Sequence, residues 1–146
     1  MEDKINAEET KAVESSMAIP KSETAKVISE ISERPLKLKG KTYKLKTPLL
    51  KEAFYITIND IEENGKMRPY EIFINSKNLQ HFSWLVALTR MISAILRKDN
   101  LSEFLIPELK SIFDPSGGYF KNGKYIPSLV SEIGDVIEAH LNSIKK

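Results

Sequence analysis

Three segments in the first half of the chain alternate apolar and polar residues with the period of a strand. The first runs from Pro35 to Lys46. Leu36 and Leu38 oppose Lys37 and Lys39, and after Gly40 the parity changes, with Tyr43 and Leu45 opposing Lys44 and Lys46. A parity change at a glycine predicts a turn or bulge there. The second segment is Phe54 to Asn59, with Phe54, Ile56 and Ile58 on one face. The third is Tyr70 to Asn75, with Tyr70, Ile72 and Ile74 on one face. Between them, Asp60 to Arg68 reads as a loop containing the turn dipeptide Asn64-Gly65. Short strands joined by turn-rich loops predict an antiparallel meander.

The period then becomes helical. From Leu79 to Lys98, Phe82, Leu85, Val86, Ile92, Ile95 and Leu96 recur at steps of three and four, and Trp84, Leu88 and Met91 widen the face. So broad an apolar arc predicts a central helix covered on several sides. Ser76 or Asn78 is suited to cap its start, and Asp99-Asn100 to end it. Leu101 to Phe113 predicts a second helix, broken at Pro107. Asp114-Pro-Ser-Gly-Gly is a turn cluster. Tyr119 to Ile126 reads as a hairpin around Asn122-Gly123. A closing helix follows Ser128, a suitable N-cap, with its stripe at Leu129, Ile133, Val136, Ile137, Leu141 and Ile144. The fold class expected is therefore α+β: a three-stranded antiparallel meander packed against a long helix, a broken helix and a C-terminal helix, with a small hairpin.

Residues 1–33 stand apart. They contain no aromatic residue and are rich in Glu, Lys, Ser, Thr and Ala. Such a composition predicts a flexible acidic arm, in which Glu23 to Ile31 is too short to hold a helix by itself. The single domain is placed at 34–146. Charge follows the same division. The arm holds eight acids and four lysines, a balance of −4, while the remainder holds 18 basic and 12 acidic residues, a balance of +6.

Composition removes several kinds of chemistry. With no cysteine there is no disulfide, thiolate metal site or thiol reaction. The two histidines, His81 and His140, are far apart and sit in no metal-binding motif, so they read as surface or partly buried side chains. No apolar run approaches the roughly 20 residues of a membrane span, and Met1 to Lys11 lack the pattern of a secretory signal. The expectation is a cytoplasmic protein with no cofactor, no metal and no membrane contact. Asp114-Pro-Ser-Gly-Gly lacks the Gly-Lys-Ser/Thr ending of a phosphate loop and follows a helix rather than a strand. No nucleophile, base and orienting group form a set, so no catalytic residue is assigned.

The candidate binding residues are basic and aromatic. Arg34 to Lys51 holds Lys37, Lys39, Lys44 and Lys46 among its basic residues and no acid. On paired strands, Lys44 and Lys46 are expected beside Tyr55, with Phe73 on the third strand. Lysines beside aromatics on an open sheet can hold a nucleic-acid backbone and stack bases. The competing reading is a solvated strand whose lysines guard an edge. Arg90, on a broad apolar helix face, is expected to have a buried acceptor. Tyr119, Phe120 and Tyr125 on the hairpin are either a lid over the core or an exposed patch for a partner.

A family resemblance runs through the same residues. Arg34-Pro-Leu, Leu38-Lys-Gly-Lys-Thr-Tyr-Lys-Leu-Lys-Thr-Pro, Phe54-Tyr-Ile-Thr-Ile-Asn, Arg68-Pro-Tyr-Glu-Ile-Phe-Ile-Asn and Ala87-Leu-Thr-Arg-Met-Ile-Ser follow one another in order. Together they resemble the TSCPD domain, the C-terminal domain of adenosylcobalamin-dependent (class II) ribonucleotide reductases. That module also occurs as a short separate chain in bacteria and bacteriophages. Phe113-Asp-Pro-Ser-Gly-Gly-Tyr-Phe and Pro127-Ser-Leu-Val-Ser-Glu-Ile-Gly-Asp-Val-Ile-Glu resemble those free-standing members. The resemblance covers about residues 34–141. In the reductases, C-terminal cysteines are thought to pass electrons or bind metal. This cysteine-free chain lacks the thiols for either, so the resemblance implies the scaffold without the redox role.

The resulting expectation is a non-catalytic accessory or regulatory module that binds a protein partner, either a reductase subunit or, for a phage-borne copy, a host protein. The alternatives are a small nucleic-acid-binding domain or a subunit of a split reductase. An open sheet or hairpin edge admits a homodimer, although no heptad seam specifies one. Under this reading the acidic arm orders on binding or masks the basic strands. Deleting residues 1–33 should change partner affinity and leave thermal unfolding, followed by circular dichroism, a single cooperative transition.

Overall fold

In the computed structural model, residues 34–98 and 102–145 are described. Apart from Arg34 they belong to one compact unit, Pro35–Lys146. The expectations placed on residues 1–33 lie outside the described residues. Three strands come first: β1 (Lys39–Leu45), β2 (Phe54–Glu63) and β3 (Lys66–Ser76). Then follow α1 (Phe82–Lys98), α2 (Ser102–Lys110), the hairpin strands β4 (Tyr119–Lys121) and β5 (Lys124–Ile126), and α3 (Leu129–Ile144). The large sheet is antiparallel in the order β1-β2-β3, and β4-β5 form a separate two-stranded sheet. This is the α+β arrangement expected, with some elements redrawn.

The strand period places Leu45, Phe54, Ile56, Ile58, Ile72 and Ile74 on the buried face. Helices supply Leu85, Ile92 and Leu96 from α1, Leu105 and Leu109 from α2, and Ile133, Ile137 and Leu141 from α3. Burying a side chain of this size contributes roughly 1.5–3 kcal/mol, so this one layer is the main source of stability. Among the described residues no helix is long and apolar enough to cross a membrane.

Both hairpins turn in two residues. Asn64 and Gly65 have φ of 52° and 74°, and Asn122 and Gly123 have 51° and 75°. Positive φ at both central positions matches the twist of the flanking strands, and Asn-Gly supplies it with least strain. The expected loop Asp60 to Arg68 is consequently absent, because β2 and β3 continue through it to the turn. The irregularity expected at Gly40 is absent too. Gly40 pairs with Asn59 in an unbroken β1–β2 register, and Leu36 and Leu38 precede the strand. The glycine serves close approach instead, since a Cβ there would meet Asn59 Oδ1 at 2.1 Å. The real bulge lies between β2 and β3 at Asn59/Asp60, beside Pro69. A proline has no N–H for the ladder and is tolerated where the ladder is interrupted.

The helices also differ in detail. α1 begins at Phe82, not Leu79, because Ser76 and Asn78 organise the turn before it. Ser76 Oγ accepts from the Asn78 N–H and Asn78 Oδ1 from the Gln80 N–H. α1 is covered on one side rather than several: Leu85, Thr89, Ile92, Ser93 and Leu96 are buried, while Phe82, Trp84 and Met91 are exposed. Arg90 is exposed and has no acceptor among the described residues, so the expected buried partner is absent. α2 is one continuous helix with Pro107 inside it. Pro107 leaves a single carbonyl, that of Glu103, without its helical donor, and its own carbonyl accepts from Ser111. Ser128 caps α3 as expected, its Oγ accepting from the Ser131 N–H at 3.0 Å.

One polar chain crosses the core. Asp60 on β2 continues the inward alternation of Phe54, Ile56 and Ile58, and its Oδ1 lies 2.8 Å from Nε2 of the fully buried His140 on α3. The carboxylate only accepts, so Nε2 carries the proton. Tyr43 on β1 completes the chain at Nδ1, 2.8 Å away. His140→Ala would strip partners from a buried carboxylate and a phenol and leave a cavity. A loss of about 3 kcal/mol or more is expected, read from urea unfolding. A loss below about 1 kcal/mol would show that the chain does not hold the fold.

Candidate binding surfaces

The face of the large sheet opposite the hydrophobic core carries three cross-strand rows, and Glu71 in the first of them is fully buried and pairs with Arg97 of α1 at 3.4 Å. Gly40 lies opposite Asn59 and Glu71, Thr42 opposite Thr57 and Phe73, and Lys44 opposite Tyr55 and Asn75. Thr42 and Thr57 share a hydrogen bond at 2.8 Å, which ties the middle row together. Tyr55 is 44% exposed and Phe73 47%, on diagonal positions of adjacent strands. Lys44 is the one member of the expected basic set that shares a row with an aromatic residue.

The other lysines are dispersed. Lys46 follows the end of β1 and donates to the carbonyls of Leu50 and Lys51, binding its own loop. Lys37 precedes β1 and is exposed. Lys39 is exposed at the first position of β1, on the opposite parity to Lys44. It shares that parity with Lys41, whose Nζ donates to Ser143 Oγ on α3 at 3.1 Å. The sequence run is continuous because lysine occupies both parities of one strand, which divides it between two faces.

The hairpin resolves into two surfaces. Tyr119 points inward and is buried, opposite Ile126, while Phe120 and Tyr125 are exposed and opposite each other. Their ring centroids lie 5.3 Å apart in a tilted pair. Behind them, the Tyr119 hydroxyl and Lys121 Nζ both donate to the buried carboxylate of Glu132 on α3. Lys124 reaches Asp135 at 3.4 Å. The hairpin is therefore pinned by charge-assisted bonds on one side and presents two aromatics on the other.

Sequence reasoning missed three buried polar centres: Tyr43–His140–Asp60, Tyr119–Glu132–Lys121, and Glu71, which accepts from Asn59 Nδ2 at 2.9 Å and Arg97 Nη2 at 3.4 Å. The first had a signal, since His140 lies one helical turn from Ile137 and Ile144 and two from Ile133 along the apolar stripe of α3. A further missed feature is a pocket of about 280 Å³ lined by residues that include His81, Trp84, Phe113 and Asp114. Among the described residues, no three His, Cys, Asp or Glu side chains form a group that could hold a metal ion.

Burial and the Glu132 carboxylate raise the Tyr119 pKa far above that of an ordinary phenol. An unfolded tyrosine ionises near pH 10 while the folded one stays protonated. Stability from this group is thus fully present below about pH 10 and falls as pH rises beyond it. Tyr119→Phe is expected to cost about 1–3 kcal/mol at neutral pH by leaving Glu132 a donor short. It should also flatten the alkaline decline, as measured by denaturant unfolding across pH.

With this geometry in view, comparison with known proteins adds one finding. No curated protein and no solved structure matches the chain. A family model, the TSCPD domain, matches residues 21–141. The match starts within the segment read as an arm and covers every strand and nearly all of α3. The order of short motifs noted in the sequence is thus that of a whole family, and this chain belongs to the TSCPD domain family.

Proposed function

We propose that the protein is a non-catalytic accessory module of the ribonucleotide-reductase-like kind, acting by binding a protein partner through the outer face of its sheet. The observation that supports this most directly is the half-exposed diagonal pair Tyr55 and Phe73 on a rigid three-stranded sheet. Aromatic side chains on fixed elements are common anchors of protein interfaces, because they bury much area for little loss of freedom. The exposed Phe120–Tyr125 pair offers a second anchor of the same type.

A nucleic-acid reading draws on one specific observation, the pairing of Lys44 with Tyr55. It is the weaker reading, since Lys46 is tied to its loop and Lys39 lies on the other parity. One charge beside two rings gives little counterion release.

A photo-crosslinking side chain placed at Tyr55, with a second preparation carrying it at the exposed Ser111, tests the main reading. A single adduct at position 55 is expected in extract of the source cells, competed by unlabelled protein and weakened by Phe73→Ala. Equal adducts from both positions would refute a sheet-face site. Anisotropy titrations of labelled DNA and RNA over a range of salt should show only weak binding. Tight binding with a steep salt slope, lost in Lys44→Ala, would favour the nucleic-acid reading instead.

A further inference from the structure

The pocket beside α1 shares no residue with the outer sheet face and needs its own account. Its volume is about 280 Å³, the scale of a small ligand, and its exposed surface is mainly apolar. Leu50 and Leu129 contribute aliphatic wall, and Trp84 and Phe113 contribute rings. Trp84 is 37% exposed and Phe113 71%, so both present accessible surface. Thr47 also lines it, with a buried hydroxyl that has no hydrogen-bond partner among the described residues.

The charge of the lining is unusual for this molecule. Residues 34–146 carry a balance of +6, yet among the described residues no lysine or arginine lines the pocket, and Asp114 is its one carboxylate. His81 Nδ1 accepts from the indole N–H of Trp84 at 3.0 Å, which orients the two rings at the pocket. Asp114 is held in place by its own turn, where Oδ1 accepts from the N–H and the hydroxyl of Ser116 at 2.8 and 2.7 Å. The same bonds keep its carboxyl below the usual aspartate range, so it is ionised at neutral pH.

We propose that this pocket binds a small ligand with a flat apolar body and a terminal ammonium, the body against Trp84 and Phe113 and the ammonium at the Asp114 carboxylate. An aromatic wall attracts a cation through its ring faces and buries a flat body by area. A single fixed carboxylate then sets the preferred sign of charge. An anionic ligand meets no lysine or arginine among the described lining residues, and a neutral one gains only the apolar part.

Trp84 is the single tryptophan of the chain and so reports the site directly. The full chain is titrated at neutral pH with 2-phenylethylamine, 2-phenylethanol, 3-phenylpropionate and butylamine while Trp84 emission is followed. A saturable change is expected with the aryl amine, roughly 3- to 5-fold tighter than with the alcohol, as one partly exposed ion pair allows. The carboxylate should bind most weakly. Butylamine should bind more weakly than the aryl amine; equal affinity would mean that an alkylammonium, such as a lysine side chain, suffices, and would overturn the flat-body requirement. Asp114→Asn keeps an Oδ1 acceptor for Ser116 and should abolish the amine's advantage while leaving alcohol affinity unchanged. The proposal fails if no aryl ligand saturates, if the carboxylate binds as tightly as the amine, or if the advantage survives in Asp114→Asn. Sheet-face crosslinking reads a different surface, so either result can fail without the other.

Discussion

The placement of α3 rests on the hydrogen-bonded chain from Asp60 through His140 to Tyr43. Apolar packing between a helix and a sheet is tolerant of small rotations, because one methyl group replaces another at little cost. A buried carboxylate facing a buried imidazole is not tolerant. Any slide of α3 along the sheet would separate Nε2 from Oδ1 and leave both groups desolvated without partners. The same imidazole reaches back to β1 through Tyr43, so one side chain fixes a helix against two strands. The hairpin depends on this placement in turn, since Glu132, its polar anchor, is on the same helix.

These two polar centres therefore divide the work between them. Asp60–His140–Tyr43 sets the helix on the sheet, and Glu132 sets the hairpin on the helix. Phe120 and Tyr125 owe their outward orientation to the second centre, because Tyr119, held at Glu132, determines which parity of β4 faces in. Tyr55 and Phe73 owe theirs to the core alternation of β2 and β3. The exposed aromatics of this TSCPD domain are thus positioned by separate devices on a common frame.

Most of the frame was legible from residue pattern. Both Asn-Gly turns, the meander, the Ser128 cap and the α3 stripe follow from period and turn chemistry that act over a few residues. What pattern misjudged depended on distant partners. Gly40 was read as a break in its own strand, when its need arises from Asn59 on the neighbouring one. Trp84 and Met91 were read as buried because they widen the apolar arc of α1, yet an arc shows only that a face could be covered. The basic run was read as one surface, but Lys39 and Lys41 on one parity and Lys44 on the other diverge once the strand is pleated. The pocket was invisible because its wall is gathered from the loop after β1, the start of α1 and the turn at Asp114. No local signal joins segments so far apart in sequence.

Ser93 carries a consequence for the shape of any assembly this domain enters. Its hydroxyl takes the Ile72 N–H at 3.0 Å and gives its own proton to the Ile72 carbonyl at 3.2 Å, both on the free side of β3. A helix side chain thereby stands where the backbone of a fourth strand would pair. At this point the sheet has a built-in terminus, and a neighbour cannot be added there by simple continuation of the ladder. Contacts made along this side of the domain must be written in side chains, which makes them selective for one surface where a bare strand edge would accept many.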